Sequence, residues 1–136
     1  GLLSAILGQR QTKGLIRLLE SVNLPFYPSP LTFVNIIHSK AFKADRPWGA
    51  IDIANMNGIT TRLHWTDQPY QWHGNDGEEV FVVLDGTVDM HYRQDGAVQV
   101  VRLQPGDIAF ATVGTEHVAY PIGAARILVV EQAGSI

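Results

Sequence analysis

The chain predicts an all-β domain closed into a sandwich or barrel, with a helical extension before it. Short apolar segments recur along most of the chain, turns bearing Gly or Pro separate them, and the first 30 residues follow a different periodicity.

That first stretch comes before the strands. Leu2, Leu3, Ile6 and Leu7, then Leu15, Ile16, Leu18, Leu19 and Val22, recur at helical spacing, with Gln9, Arg10, Gln11, Arg17 and Glu20 between them. Gly8 and Gly14 weaken the pattern, so one interrupted helix or two short ones are expected, amphipathic and packed on the barrel or on a partner subunit. The polar face is not richly basic, which argues against a helix lying on a membrane. Pro25, Pro28 and Pro30 forbid helix and mark an extended arm. Two parts follow: 1–30, the helix and Pro-rich arm, and 31–136, the barrel.

The strands follow in order. Thr32 to Ile37 is a first candidate, Ala50 to Ala54 a second and Ile59 to Thr66 a third. Val80 to Leu84 is a continuous apolar run, as a buried strand requires, while Val88, Met90 and Tyr92 alternate with polar neighbours. Asp95-Gly96 is a strong hairpin signal, and Val98 to Leu103 returns from it. Pro105-Gly106-Asp107 turns the chain into Ile108 to Val113, and Val118 to Pro121 and Arg126 to Glu131 complete the set.

Composition narrows the function. The chain has 136 residues, 46% hydrophobic and 17% charged, with a net charge of −3 and no cysteine. Disulfides and thiolate metal sites are excluded. Ten Lys and Arg spread thinly give no footprint for nucleic acid. No apolar run approaches the roughly 20 residues of a membrane-spanning helix. The apolar opening, residues 1–8, is short and lacks a basic lead, a poor secretory signal. A cytoplasmic location is the expectation.

Histidines occur at 38, 64, 73, 91 and 117. His91 falls on the polar face of its strand, His38 lies near the start of a loop, and His64 is expected to be a hydrogen-bonded structural residue. His73 differs, because the segment from Trp72 to Phe81 sets imidazole, amide and carboxylate groups just before a buried strand. His73 and Asn75, two apart, project to one side of an extended chain, and Glu79 shares that parity if the loop folds back. A carboxylate heading an apolar strand needs a partner. A divalent cation held by His73, Glu79 and His117 supplies one, and an ion pair or hydrogen-bonded network among the same residues is the alternative.

At these residues the chain resembles the cupin superfamily. His73-x-Asn75, three residues, Glu79, six residues and Gly86 follow its first motif, with Asn75 at the second histidine. Gly106-Asp107 followed by Thr112, Gly114 and His117 follows the second, with Thr112 where proline is usual. The motifs span Trp72 to His117, and small single-domain cupins resembling mannose-6-phosphate isomerase share the most features.

The resemblance implies a double-stranded β-helix, or jelly-roll barrel, with the ligand set His73, Asn75, Glu79 and His117 for zinc, iron, manganese or nickel. Asn75 ligates through its oxygen, hydrogen-bonds a metal-bound water, or belongs to a site that has lost its metal. Glu78 competes with Glu79, but the motif gap favours Glu79. Trp72, Phe81, Phe110 and Tyr120 are expected to line or fill the barrel, with Phe81 and Phe110 in the substrate pocket. Arg62 and His64 are pocket candidates for an anionic substrate. Two functions remain open: a metal-dependent enzyme on a small metabolite, an isomerase, epimerase or dioxygenase, and a metal-free binding or sensing barrel. No general base beyond His64 or Glu78 is evident for isomerisation. A homodimer is expected.

Overall fold

The computed structural model describes residues 33–135. The expected N-terminal helix and the Pro-rich arm lie outside them. Two compact units divide the chain, 1–43 and 44–136. In the first, Phe33 to Ile37 forms no strand, contrary to expectation, and a single 3-10 turn follows at Ser39–Ala41. Apolar composition suffices for strand propensity but not for strand structure, which needs a ladder partner, and this segment has none among the described residues.

The second unit is all β. Its strands are β1 (Gly49–Met56), β2 (Ile59–Thr66), β3 (His73–Gly74), β4 (Glu79–Gln94), β5 (Ala97–Leu103), β6 (Ile108–Ala111) and β7 (Glu116–Gln132). They are hydrogen-bonded in the order β1-β2-β7-β4-β5, with β3 against β7 and β6 against β4, and every pairing is antiparallel. The expected turns at Asp95-Gly96 and at 105–107 are present. Asn57-Gly58 makes the first hairpin, with φ of 55° and 87° suited to a tight two-residue connection.

Two expected pairs of short strands are each one long strand. Val80 to Leu84 and Val88 to Tyr92 are the two arms of β4, and Val118 to Pro121 and Arg126 to Glu131 are the two arms of β7. The β4–β7 register shifts between Val83 and Asp85 and again between Asp85 and Thr87. Gly86 sits in that bulge at φ 81°, where an added Cβ would lie 2.3 Å from the Ala124 carbonyl oxygen. Only glycine allows this approach.

The bulge also resets which side chains face inward. Glu79, Phe81 and Val83 are buried before it, and Val88 and Met90 after it, so inward parity passes from odd to even. Phe81, Val83, Val88 and Met90 join Leu103, Ala119, Ala125, Ile127 and Val129 in one core cluster. The long strands run from this apolar half to a polar end, and the site lies there.

Candidate metal centre and cavity

Three elements deliver the chemistry. β3 is only two residues long, yet its register sets His73 opposite His117 on β7. β7 in turn pairs with β4, whose first residue is Glu79. Ligand atoms of His73, Glu79 and His117 all lie within 4.8 Å of one another. His117 and Glu79 are buried, His73 is half-buried, and Glu78 is exposed. Of the two adjacent glutamates, Glu79 is the one that faces the site.

Both imidazoles are oriented from behind. His73 Nδ1 lies 3.0 Å from the Gln71 carbonyl oxygen, and His117 Nδ1 lies 3.1 Å from that of Thr115. A carbonyl oxygen only accepts, so each Nδ1 carries the proton and each Nε2 is left toward the site. Imidazole ligands are commonly held this way. His117 Nε2 stands 3.4 Å from Glu79 Oε1, and the two imidazole rings are 4.4 Å apart between centroids.

Asn75 is buried in the loop after β3. Its Nδ2 donates to the Thr112 carbonyl at 3.3 Å, its backbone N–H to Thr115 O, and its own carbonyl accepts from Gly114 N–H. The amide therefore ties β3 to the β6–β7 turn, the turn whose Thr115 carbonyl aligns His117. Thr112, at the usual proline position, contributes its hydroxyl to a 2.9 Å bond with Thr115.

Glu131 is the residue that the sequence reading missed. It is the register partner of Glu79 across β4 and β7, and the two carboxyls are hydrogen-bonded. Burial and the Glu79 carboxylate push the Glu131 carboxyl up to about 7. Burial works against ionisation of Glu79, but hydrogen bonds from His117 and Glu131 outweigh it and hold Glu79 below its ordinary value. Burial likewise disfavours charge on His117, and the bond to Glu79 overrides it, raising His117. The signal for Glu131 was present in the sequence, an acid at inward parity behind Ile127 and Val129 on an apolar strand.

His64 matches the expectation of a bonded structural histidine. Its Nδ1–H donates to the Trp48 carbonyl at 3.1 Å, and burial keeps the ring below its ordinary pKa. Trp48 adopts φ 60°, an outlier for so bulky a residue that costs on the order of 1–3 kcal/mol. The indole is anchored in compensation: Nε1–H donates to Gln68 O at 2.9 Å, and the ring meets His64 and Tyr70 edge-on. Tyr70 in turn packs edge-on against His73.

Two cavities open on the triad. The larger, about 540 Å³, is walled by Phe81, Met90, Leu103 and Phe110 among others, and the smaller, about 240 Å³, by Arg46, Trp48, Arg62, His64, Tyr70 and Glu131. Glu79, Phe81 and His117 belong to both walls. Arg62 and His64 line the smaller cavity and Phe81 and Phe110 the larger, with Phe110 60% exposed at its edge. Arg62 also pairs with Asp52 at 2.7 Å. Trp72 and Tyr120 line neither cavity. Trp72 is 39% exposed beneath the Arg93 guanidinium, and Tyr120 is 36% exposed against the half-buried His91 ring, so both belong to the outer surface rather than the barrel interior.

No protein-family model and no curated protein matches the chain. Solved structures do. A cupin-2 domain-containing protein from Shewanella frigidimarina is 28% identical with a TM-score of 0.59, over 65% of this chain and 84% of that one. A cupin superfamily protein from Desulfitobacterium hafniense is 16% identical with a TM-score of 0.57, over 81% and 94%. Hydroquinone 1,2-dioxygenase from Sphingomonas sp. TTNP3, solved with 4-hydroxybenzoate bound, is 15% identical with a TM-score of 0.59, over 71% of each chain. The strand order, the buried His-Glu-His cluster and these likenesses together give the barrel unit the cupin fold.

Proposed function

We propose that the barrel binds a divalent cation through His73, Glu79 and His117, and a small metabolite beside it. The observation that carries this reading is the convergence of two Nε2-presenting imidazoles and a buried carboxylate within 4.8 Å. Such a donor set fits zinc, iron, manganese or nickel and leaves coordination positions open. Asn75 Nδ2 donates to the Thr112 carbonyl, and its Oδ1 would be the atom to serve as a fourth donor. A cation there would polarise an oxygen of the bound ligand as a Lewis acid.

The chain's own residues do the rest. Arg62 and His64 face the ligand from the smaller cavity, Phe81 and Phe110 from the larger one. His64, with its tautomer set by Trp48, offers Nε2 as a proton acceptor. Metal-dependent isomerisation or epimerisation, as in the mannose-6-phosphate isomerase-like cupins, or dioxygenation are the reaction classes this supports. We place the protein in the cytoplasm as a homodimer. Among the described residues, no helix is long and apolar enough to cross a membrane.

Elemental analysis of the purified chain tests the reading. One equivalent of transition metal per chain is expected, lost in His73→Ala and in Glu79→Gln. Failure to bind any of the four metals overturns it. The second reading, a metal-free binding barrel, draws on one observation: Glu79 already has hydrogen-bonding partners in His117 and Glu131.

A further inference from the structure

The two cavities differ in chemistry as well as size. The larger has an apolar wall around Phe81, Met90 and Leu103, with volume within the roughly 300–1,000 Å³ of pockets that enclose an organic ligand. The smaller, at about 240 Å³, falls below that range and suits a head group rather than a whole molecule. Glu79, Phe81 and His117 stand in both walls, so the two spaces adjoin at these residues.

Charge sets the head group. Arg46 and Arg62 both line the smaller cavity, and Arg46 has no acidic partner among the described residues. Arg62 spends its Nε on Asp52, which leaves the terminal nitrogens of the guanidinium for a second acceptor. Glu79 stands 3.4 Å from His117 Nε2 and faces Glu131 as its register partner across β4 and β7. Among the described residues the one arginine lining the larger cavity is Arg93, committed to Glu116 at 2.7 Å and stacked over Trp72.

We propose that the ligand is a carboxylate with an apolar, ring-sized body, the body lying on Phe81, Met90 and Leu103 and the carboxylate reaching past the triad to Arg62 and Arg46. This rests on reading the barrel as a small-molecule site, but not on the metal. A planar carboxylate matches the arginine fork, and the apolar wall rejects a polar body.

Calorimetric titration of the full chain with phenylacetate, phenylethanol and acetate tests it, once with chelator and once with zinc. Phenylacetate is expected to bind at least tenfold more tightly than either of the others. Arg62→Gln and Arg46→Gln should each weaken phenylacetate by about tenfold or less and leave phenylethanol unchanged. Acetate binding as tightly as phenylacetate removes the apolar body from the proposal. Phenylethanol binding as tightly, or a preference untouched in both arginine variants, removes the carboxylate. If selectivity survives but zinc does not bind, the ligand proposal stands and the metal reading falls.

Discussion

Glu79 and Glu131 face each other as register partners across β4 and β7, and their carboxyls are hydrogen-bonded inside the barrel. Two carboxyls in this contact do not both ionise readily; burial raises both, and the hydrogen bond from His117 keeps the charge on Glu79, leaving the proton to Glu131, raised to about 7. The pair is thus a proton store whose state is set by strand register.

A pH-dependent stability follows for the metal-free protein. With Glu131 near 7 when folded against 4.5 unfolded, the folded chain holds the extra proton between those values. The contribution of Glu131 to the unfolding free energy therefore falls as pH rises from 4.5 through about 7, because the folded state holds its proton there, while His64, held below 6.5, contributes in the opposite sense. His117, raised above 6.5, adds a loss of the same sign at higher pH. In Glu131→Gln the part below neutrality should flatten. Thermal melts in chelator at several pH values check this, and a wild type whose melting temperature rises across that range contradicts it.

Metal should stabilise the fold measurably. A cation at 100 times its Kd contributes about 2.7 kcal/mol, which for a barrel of this size shifts Tm by roughly 10 °C or more. The shift should vanish in His117→Ala and persist in His91→Ala, whose ring packs against Tyr120 instead. Equal shifts in both variants would place the cation elsewhere.

The sequence made the barrel and the triad visible because their signals are local. Asp95-Gly96 and the spacing from His73 to Glu79 each lie within a few residues, where turn chemistry and parity act directly. Glu131 escaped because its role comes from the pairing of two long strands, and register between distant segments is not written in either one. The bend at Gly86 hid β4 in the same way, since a bulge reverses parity and makes one strand look like two. Phe33 to Ile37 misled for the opposite reason: local propensity was favourable, and it has no ladder partner among the described residues. Trp72 and Tyr120 looked like lining residues by hydrophobicity alone, but their rings pack against Arg93 and His91 on the outer surface.

Asn75 gives a graded test of the site. Imidazole binds borderline metals better than an amide oxygen, so Asn75→His should tighten zinc or nickel. Asn75→Ala removes both the fourth donor and the bond to Thr112 O, and should weaken the metal by roughly 10–100-fold. Competition titration with a chromogenic chelator reads both. An Asn75→Ala protein with wild-type affinity would mean that the amide neither ligates nor aligns the β6–β7 turn.

Gly86 and Gly96 separate two reasons for keeping a glycine. Both have positive φ, 81° and 77°, so alanine at either pays the left-handed penalty of about 1–2 kcal/mol. At Gly96 an added Cβ meets nothing within 4 Å, and the cost should stop there. At Gly86 it would lie 2.3 Å from Ala124 O and 3.0 Å from Ala125 Cα, both backbone atoms that cannot rotate away. Gly86→Ala should therefore lose roughly 3 kcal/mol or more and disturb the β4–β7 pairing on which the Glu79–Glu131 contact depends. Denaturant melts of the two variants compare the costs directly, and similar losses in both would show that the bulge accommodates a methyl group by shifting.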